Sequence, residues 1–190
     1  MNYILVLYYS KNGSTANMAN AIAQGIDCIE GIEARIRTVP NVSPTTEAAT
    51  HTDPQSGPPY ATENDFAHCS GLALGSPTRF GNIAAPLKYF LDNTASSWQA
   101  GSLINIPAGC FTSTSSIHGG QEATLISMMI PLLHHGALIL GVPYSETRLF
   151  TTQGGGTPYG PTHVSGEDNI ALSEDEREIA ITFGKRLATV

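Results

Sequence analysis

Basic residues are scarce in this sequence. Nine Lys and Arg stand against sixteen Asp and Glu among 190 residues, a formal net charge of −7. Nonspecific nucleic-acid binding needs clustered cations, so no nucleic-acid partner is expected. An anionic small ligand stays open, because backbone amides bind phosphate without side-chain charge. Long apolar runs are also missing: none approaches the roughly 20 residues of a membrane-spanning helix. No basic stretch leads into a cleavable apolar segment near residue 1, so no secretion signal is expected. The three cysteines, Cys28, Cys69 and Cys110, are widely spaced and form no C-x-x-C. Neither a disulfide framework nor a metal site follows, and a reducing cytoplasm is the expected compartment. The thiols read as packing groups. There is no internal repeat, no G-x-G-x-x-G and no G-x-x-x-x-G-K-[ST], so neither a dinucleotide fingerprint nor an ATP-type phosphate loop is present.

What is there is apolar: 41% of residues are hydrophobic, enough for a real core, and residues 1–190 read as a single domain. Tyr3–Tyr8 (YILVLY) is a near-continuous run of β formers, as in a strand buried on both faces. A polar turn follows, then Met18, Ala19, Ile22, Ala23 and Ile26 at helical spacing. Further strands are expected at Glu33–Thr38, Gly71–Gly75, Asn105–Thr112 and Leu138–Val142, with Pro107 awkward inside the fourth. Helices are expected at Ala84–Asp92, Gln121–His135 and Ser173–Leu187, the last opened by a Ser173/Glu176 capping box. Thr62–Phe66 reads as one helical turn. Pro40–Tyr60 and Tyr144–Gly166 read as loops.

Alternation of this kind predicts an α/β fold: a doubly wound, five-stranded parallel sheet with helices on both faces. Ligands then bind outside the carboxyl ends of the strands. Three polar loops converge there: Ser10–Thr15, Ser76–Asn82 and Thr112–Gly120. In the first, Ser10, Ser14 and Thr15 offer hydroxyls, Gly13 lets the backbone curl, and the helix behind it offers free N–H groups. A phosphate monoester is the natural guest, while a plain helix cap at Ser10 or Ser14 is the bland alternative.

An aliphatic pair, an aromatic and S-x-x-G-x-T after the first strand resemble the flavodoxin signature, whose loop holds the phosphate of FMN. G-S-P-T-R-F-G-N at Gly75–Asn82 narrows this. Together with F-T-S-T at Phe111–Thr114, G-G-Q-E at Gly119–Glu122, H-H-G at His134–Gly136 and G-G-T-P-Y-G at Gly155–Gly160, it looks like the WrbA-type NAD(P)H:quinone oxidoreductases. The resemblance implies a cytoplasmic, tetrameric, flavodoxin-like enzyme that contains FMN and reduces quinones with NADH or NADPH. Its cofactor-binding residues would be Ser10, Lys11, Asn12, Gly13, Ser14 and Thr15, then Pro77, Thr78, Arg79 and Phe80, then Ser113, Thr114, Ser115, Ser116, Ile117 and His118. Two departures stand out: Ser115–His118 reads S-S-I-H where glycines are usual, and Lys11 and Asn12 replace a frequent large side chain. Arg79 and Phe80 also admit plain surface and packing roles.

Trp98, the single tryptophan, lies in a Ser-rich stretch that a core residue would not favour. It reads as an aromatic wall near the flavin or as a helix-end packing residue. The resemblance gives it, with Asn12, a substrate-side role, Trp98 reaching the site of a neighbouring subunit. His134 and His135 end an apolar helix, where the dipole alone suffices for one imidazole. The resemblance places His134 beside both flavin and substrate, as donor of a hydrogen bond or proton. Gln121 and Glu122 fix the start of that helix. Nicotinamide nucleotide and quinone would share one flat face, implying ping-pong turnover. The rival reading is a monomeric flavodoxin-type electron carrier without a substrate pocket, which the acidic total fits.

Overall fold

The computed structural model describes residues 2–43 and 57–190. The apolar run at the start is β1 (Asn2–Tyr8), flanked by β2 (Ile32–Thr38) and β3 (Gly71–Pro77), with β4 (Pro107–Thr114) and β5 (Leu138–Ile139) beyond. The order is β2-β1-β3-β4-β5, and every pairing is parallel. The helices are α1 (Ser14–Asp27), α2 (Glu63–Ala67), α3 (Ala85–Asp92), α4 (Ala95–Gln99), α5 (Gln121–His134) and α6 (Glu174–Thr189).

Successive side chains of β1 serve opposite cores, as a period of two requires. Ile4, Val6 and Tyr8 pack with Ala73 and Phe111 under α1 and α6. Tyr3, Leu5 and Leu7 pack with Leu72 and Leu74 under Phe66, Leu87, Leu91, Leu125 and Met128 of the other helices. Leu5, Val6 and Leu7 are fully buried, each contributing about 1.5–3 kcal/mol of burial. The doubly wound parallel sheet expected from the sequence is thus observed.

Several boundaries differ, each for a local reason. The fourth strand begins at Pro107 rather than Asn105; Pro is tolerated as a first strand residue, and Asn105 is left-handed (φ 63°). The fifth strand is split. After Ile139 only the Leu140 amide still reaches Ala108 O; Val142 N then turns to Pro158 O at 3.0 Å, and Pro143 has no N–H to offer. The chain returns as β6 (Thr162–Val164), which pairs with Thr112–Thr114 at the upper end of β4. The stretch expected to be loop from Tyr144 to Gly166 therefore holds a 3₁₀ turn (Thr147–Phe150) and a strand. Part of the Pro40–Tyr60 loop lies outside the described residues. Both expected helix starts at Thr62 and Ser173 carry complete capping boxes.

Helices α1 and α6 cross at glycines. A Cβ on Gly25 would stand 2.0 Å from Ile181 O, and one on Gly184 would stand 2.1 Å from Ile22 O. Gly→Ala within a helix ordinarily stabilises by about 1 kcal/mol. Gly184→Ala should instead destabilise by about 1–3 kcal/mol, because the helices must separate to admit the methyl. Urea unfolding measures this; an unchanged or higher midpoint would mean that the contact yields freely.

Candidate functional site

β1 ends at Tyr8, and the chain turns through Tyr9–Gly13 into α1. Gly13 makes the turn at φ 94°, in the left-handed region that a side chain resists, and its N–H donates to Ser10 Oγ at 3.1 Å. Ser14, Thr15 and Ala16 open α1, and their amides find no protein acceptor among the described residues. Such first-turn amides, with the helix dipole behind them, suit an anion. The Thr15 hydroxyl is buried and lies 2.8 Å from Ser113 Oγ at the end of β4. Pro77 closes β3, and the next amide, Thr78 N, donates to Ser113 O at 2.9 Å.

These contacts close a cavity of about 160 Å³, lined by Ser10, Lys11, Asn12, Ser14, Thr15, Pro77, Thr78, Arg79 and Ser113–Ser115, with Ser165 and Asn169. Two cations and no carboxylate line it, in a chain whose net charge is −7. Hydroxyls, unpaired amides and cations without an opposing acid form the donor set that a phosphate monoester requires, so the residues present fit the phosphate end of FMN.

The expected residues are not all brought together. Ser116, Ile117 and His118 are exposed and do not line this cavity. Ile117 and His118 line a neighbouring one with Gln121 and Glu122. The Thr78 hydroxyl is engaged by the protein, accepting from Gly81 N at 3.2 Å and lying 2.8 Å from Thr124 Oγ1. Gln121 is buried and bridges Ile117 O and Thr162 Oγ1, tying the third loop to β6.

His134 and Trp98 meet in a different place. Trp98 sits in α4, about half exposed, and its indole N–H donates to His134 O at 2.9 Å. Both line an apolar cavity of about 530 Å³ with Leu91, Ala95, Ile130 and His135. Burial and the neighbouring His134 lower the pKa of His135, whose Nε2 lies 3.1 Å from Thr94 Oγ1. A third cavity, about 620 Å³, lies between: it shares Lys11 and Arg79 with the phosphate-sized cavity and Asn82 and Lys88 with the apolar one. The three cavities are neighbours through these shared residues, with Lys11 and Arg79 at one side and Trp98 at the other. Tyr9, Ile83 and Pro86 line the third; sequence reasoning did not single them out.

Ser165 and Asn169 were also missed, because they follow the split strand. Glu176 anchors that segment by accepting from Gly155 N at 2.8 Å, Val164 N at 3.0 Å and His163 Nδ1 at 3.0 Å. Burial opposes ionisation of Glu176, but hydrogen bonds from His163, Ser173 and Val164 and the His163 charge outweigh it and hold the carboxyl at about 2. The thiols of Cys69 and Cys110 are buried; desolvation pushes Cys69 up to about 12 and raises Cys110 as well. Neither is set up as a nucleophile.

Residues 3–146 match the family described as NADPH-dependent FMN reductase. The chain belongs to this family. It is 41% identical to an NAD(P)H dehydrogenase (quinone) of Acidithiobacillus ferrooxidans, over 100% of this chain and 97% of that protein. It is 38% identical to the protein of the same description from Solidesulfovibrio magneticus, over 98% and 96%. Among solved structures, the flavodoxin, WrbA-like protein from Agrobacterium tumefaciens shares the fold at TM-score 0.69, with 20% identity and coverage of 100% of this chain and 96% of that one. The resemblance drawn from the loop motifs agrees with these likenesses.

One feature of this FMN reductase-family fold is locally unfavourable. Arg79 and Asn82 exchange backbone hydrogen bonds across Phe80 (φ 55°) and Gly81 (φ 75°), the mirror-image turn that prefers Asn-Gly. A phenylalanine there is strained, and its ring is fully exposed. Phe80 lines none of the cavities described, although Arg79 beside it lines two. Phe80→Asn should therefore raise stability by about 1 kcal/mol, since Asn tolerates the left-handed region, while FMN affinity falls. Thermal unfolding and a flavin fluorescence titration read the two effects; a lower melting temperature would remove the strain argument.

Proposed function

We propose that this chain is an FMN-dependent NAD(P)H:quinone oxidoreductase, acting as one flavodoxin-like unit over residues 1–190 within a cytoplasmic homotetramer. The observation that carries the reading is the carboxylate-free cavity lined by the hydroxyls of Ser10, Ser14, Thr15 and Ser113 with Lys11 and Arg79, together with the apolar cavity lined by Trp98 and His134 and a third that borders both. The full-length likeness to NAD(P)H dehydrogenases (quinone) supports it.

In this reading Ser10–Thr15 hold the FMN phosphate through backbone amides and hydroxyls, with Lys11 and Arg79 adding charge. Pro77–Phe80 and Ser113–His118 border the ring system. FMN, when bound, supplies hydride acceptance from NADH or NADPH and electron donation to a quinone. Asn12 and Trp98 border the flat face that both substrates need, so they alternate there and turnover is ping-pong. His134 donates a hydrogen bond or proton to a quinone oxygen. A carrier reading leaves the apolar cavity without a purpose.

Subunit association has its own support. Ile126, Ile130 and Leu133 make an exposed stripe on α5, and Tyr89, Trp98, Ile104 and Leu138 are exposed as well. An exposed apolar stripe on one helix is the kind of surface that a partner covers. A second copy covering it would set Trp98, which lines the apolar cavity with Ile130, at a subunit boundary. The unpaired cysteines, one exposed and two buried, suit a reducing compartment. No helix among the described residues is long and apolar enough to cross a membrane.

FMN-loaded protein mixed with NADH or NADPH and benzoquinone should consume nucleotide; no consumption with either would favour the carrier. Ser10→Ala and Thr15→Ala should each weaken FMN binding by about 1 kcal/mol or more per lost bond to the charged phosphate. Trp98→Ala should raise the quinone KM, and His134→Ala should lower turnover by no more than about 10²-fold, since water also delivers protons to quinone oxygens. Light scattering should give about four times the chain mass of 20.1 kDa. A monomer at micromolar concentration would leave Trp98 without a cross-subunit role.

A further inference from the structure

The loop from Ser10 to Thr15 is gripped by one residue far along the chain. Asn169 Nδ2 donates to Asn12 O at 2.8 Å, and its Oδ1 accepts from Ser14 Oγ. These two groups flank Gly13, the left-handed residue on which the loop turns. Within the loop itself, the bonds that hold the turn among the described residues are Gly13 N to Ser10 Oγ and Asn17 N to Gly13 O. Asn169 therefore braces both sides of the hinge at once. It takes up a left-handed conformation of its own to do so (φ 52°), which Asn tolerates better than most residues.

The brace has a firm base. Ser165 N and Ser165 Oγ both donate to Thr114 O, at 2.8 and 3.1 Å. Ile170 N donates to Ser165 O at 2.8 Å, and His163 Nε2 lies 3.1 Å from Ile170 O. His163 is itself tied to the buried Glu176. Ser165 and Asn169 both line the phosphate-sized cavity.

We propose that Asn169 is a positioning residue that holds the phosphate loop in its binding shape and sets how long FMN stays bound. This rests on the reading above that the FMN phosphate occupies this loop. The Asn12 carbonyl is held by the carboxamide N–H, and the Ser14 hydroxyl by its oxygen. The amides of Ser14, Thr15 and Ala16 then face the cavity before a ligand arrives. Binding spends no free energy ordering the loop, and the gain appears chiefly as slower release.

The test uses full-length protein loaded with FMN, and follows release by recovery of free-flavin fluorescence. Riboflavin, which lacks the phosphate, is the comparison ligand. Asn169→Gly keeps the left-handed backbone and removes both bonds. It should weaken FMN binding about tenfold, mostly through faster release, with riboflavin binding little changed. Asn169→Asp keeps an acceptor for Ser14 but sets a carboxylate against the Asn12 carbonyl and the phosphate. It should weaken FMN more than Asn169→Gly does, and the excess should shrink as salt rises. Wild-type release in both variants would overturn the proposal. So would equal weakening of FMN and riboflavin, the mark of a generally loosened fold. If Ser10→Ala and Thr15→Ala weaken FMN while the Asn169 variants do not, the proposal fails and the phosphate-loop reading stands. If none of the four weakens FMN, the phosphate-loop reading falls and the proposal with it.

Discussion

Strand β1 is paired on both edges, with β2 and β3, and covered on both faces. Every side chain from Tyr3 to Tyr8 is buried, so the strand has no freedom to slip: a shift of one residue would exchange its two cores. The point at which it ends is therefore fixed, and with it the start of the polar turn. The turn at Gly13 and the start of α1 follow. The other loops are set against this one, Thr78 by its bond to Ser113 O and Ser113 by its contact with Thr15. The site is the rim of a sheet whose interior cannot move.

Charge placement follows from the same frame. The chain is acidic, yet the cavity at the rim contains Lys11 and Arg79 and no acid. Its buried carboxylates are spent on architecture. Asp65 accepts from Thr62 and Arg37 at the entry to α2. Burial resists its ionisation, but those bonds win and its pKa is lowered. Glu176 gathers three backbone amides and a histidine behind β6. Each buried acid is paired where it holds a loop in place, and neither faces the cavity. The cavity keeps its local cationic lining in this way despite the sign of the whole molecule.

Several locally unfavourable features lie near the site. Phe80 is strained and wholly exposed, Asn169 is left-handed, and α5 shows solvent a stripe of isoleucine and leucine.

The apolar period of Tyr3–Tyr8 and the alternation of strands with helices were enough to give the fold class, since a parallel sheet covered on both faces leaves no other pattern. The loop chemistry of Ser10–Thr15 was legible too, because a left-handed glycine and the hydroxyls around it are local requirements. The split of the fifth strand was not legible. Leu138–Val142 has the composition of a strand, and only Val142 turning to Pro158 ends it. For the same reason Ser165 and Asn169 went unseen: their place at the phosphate loop depends on β6 pairing with Thr112–Thr114, across about 50 residues of sequence. Likewise, His134 and Trp98 share a cavity apart from the β1–α1 loop because the Trp98 indole reaches the carbonyl at the end of α5, across 36 residues of sequence. Sequence determined what near neighbours along the chain require of one another; which distant groups meet was decided by the order of strands in the sheet.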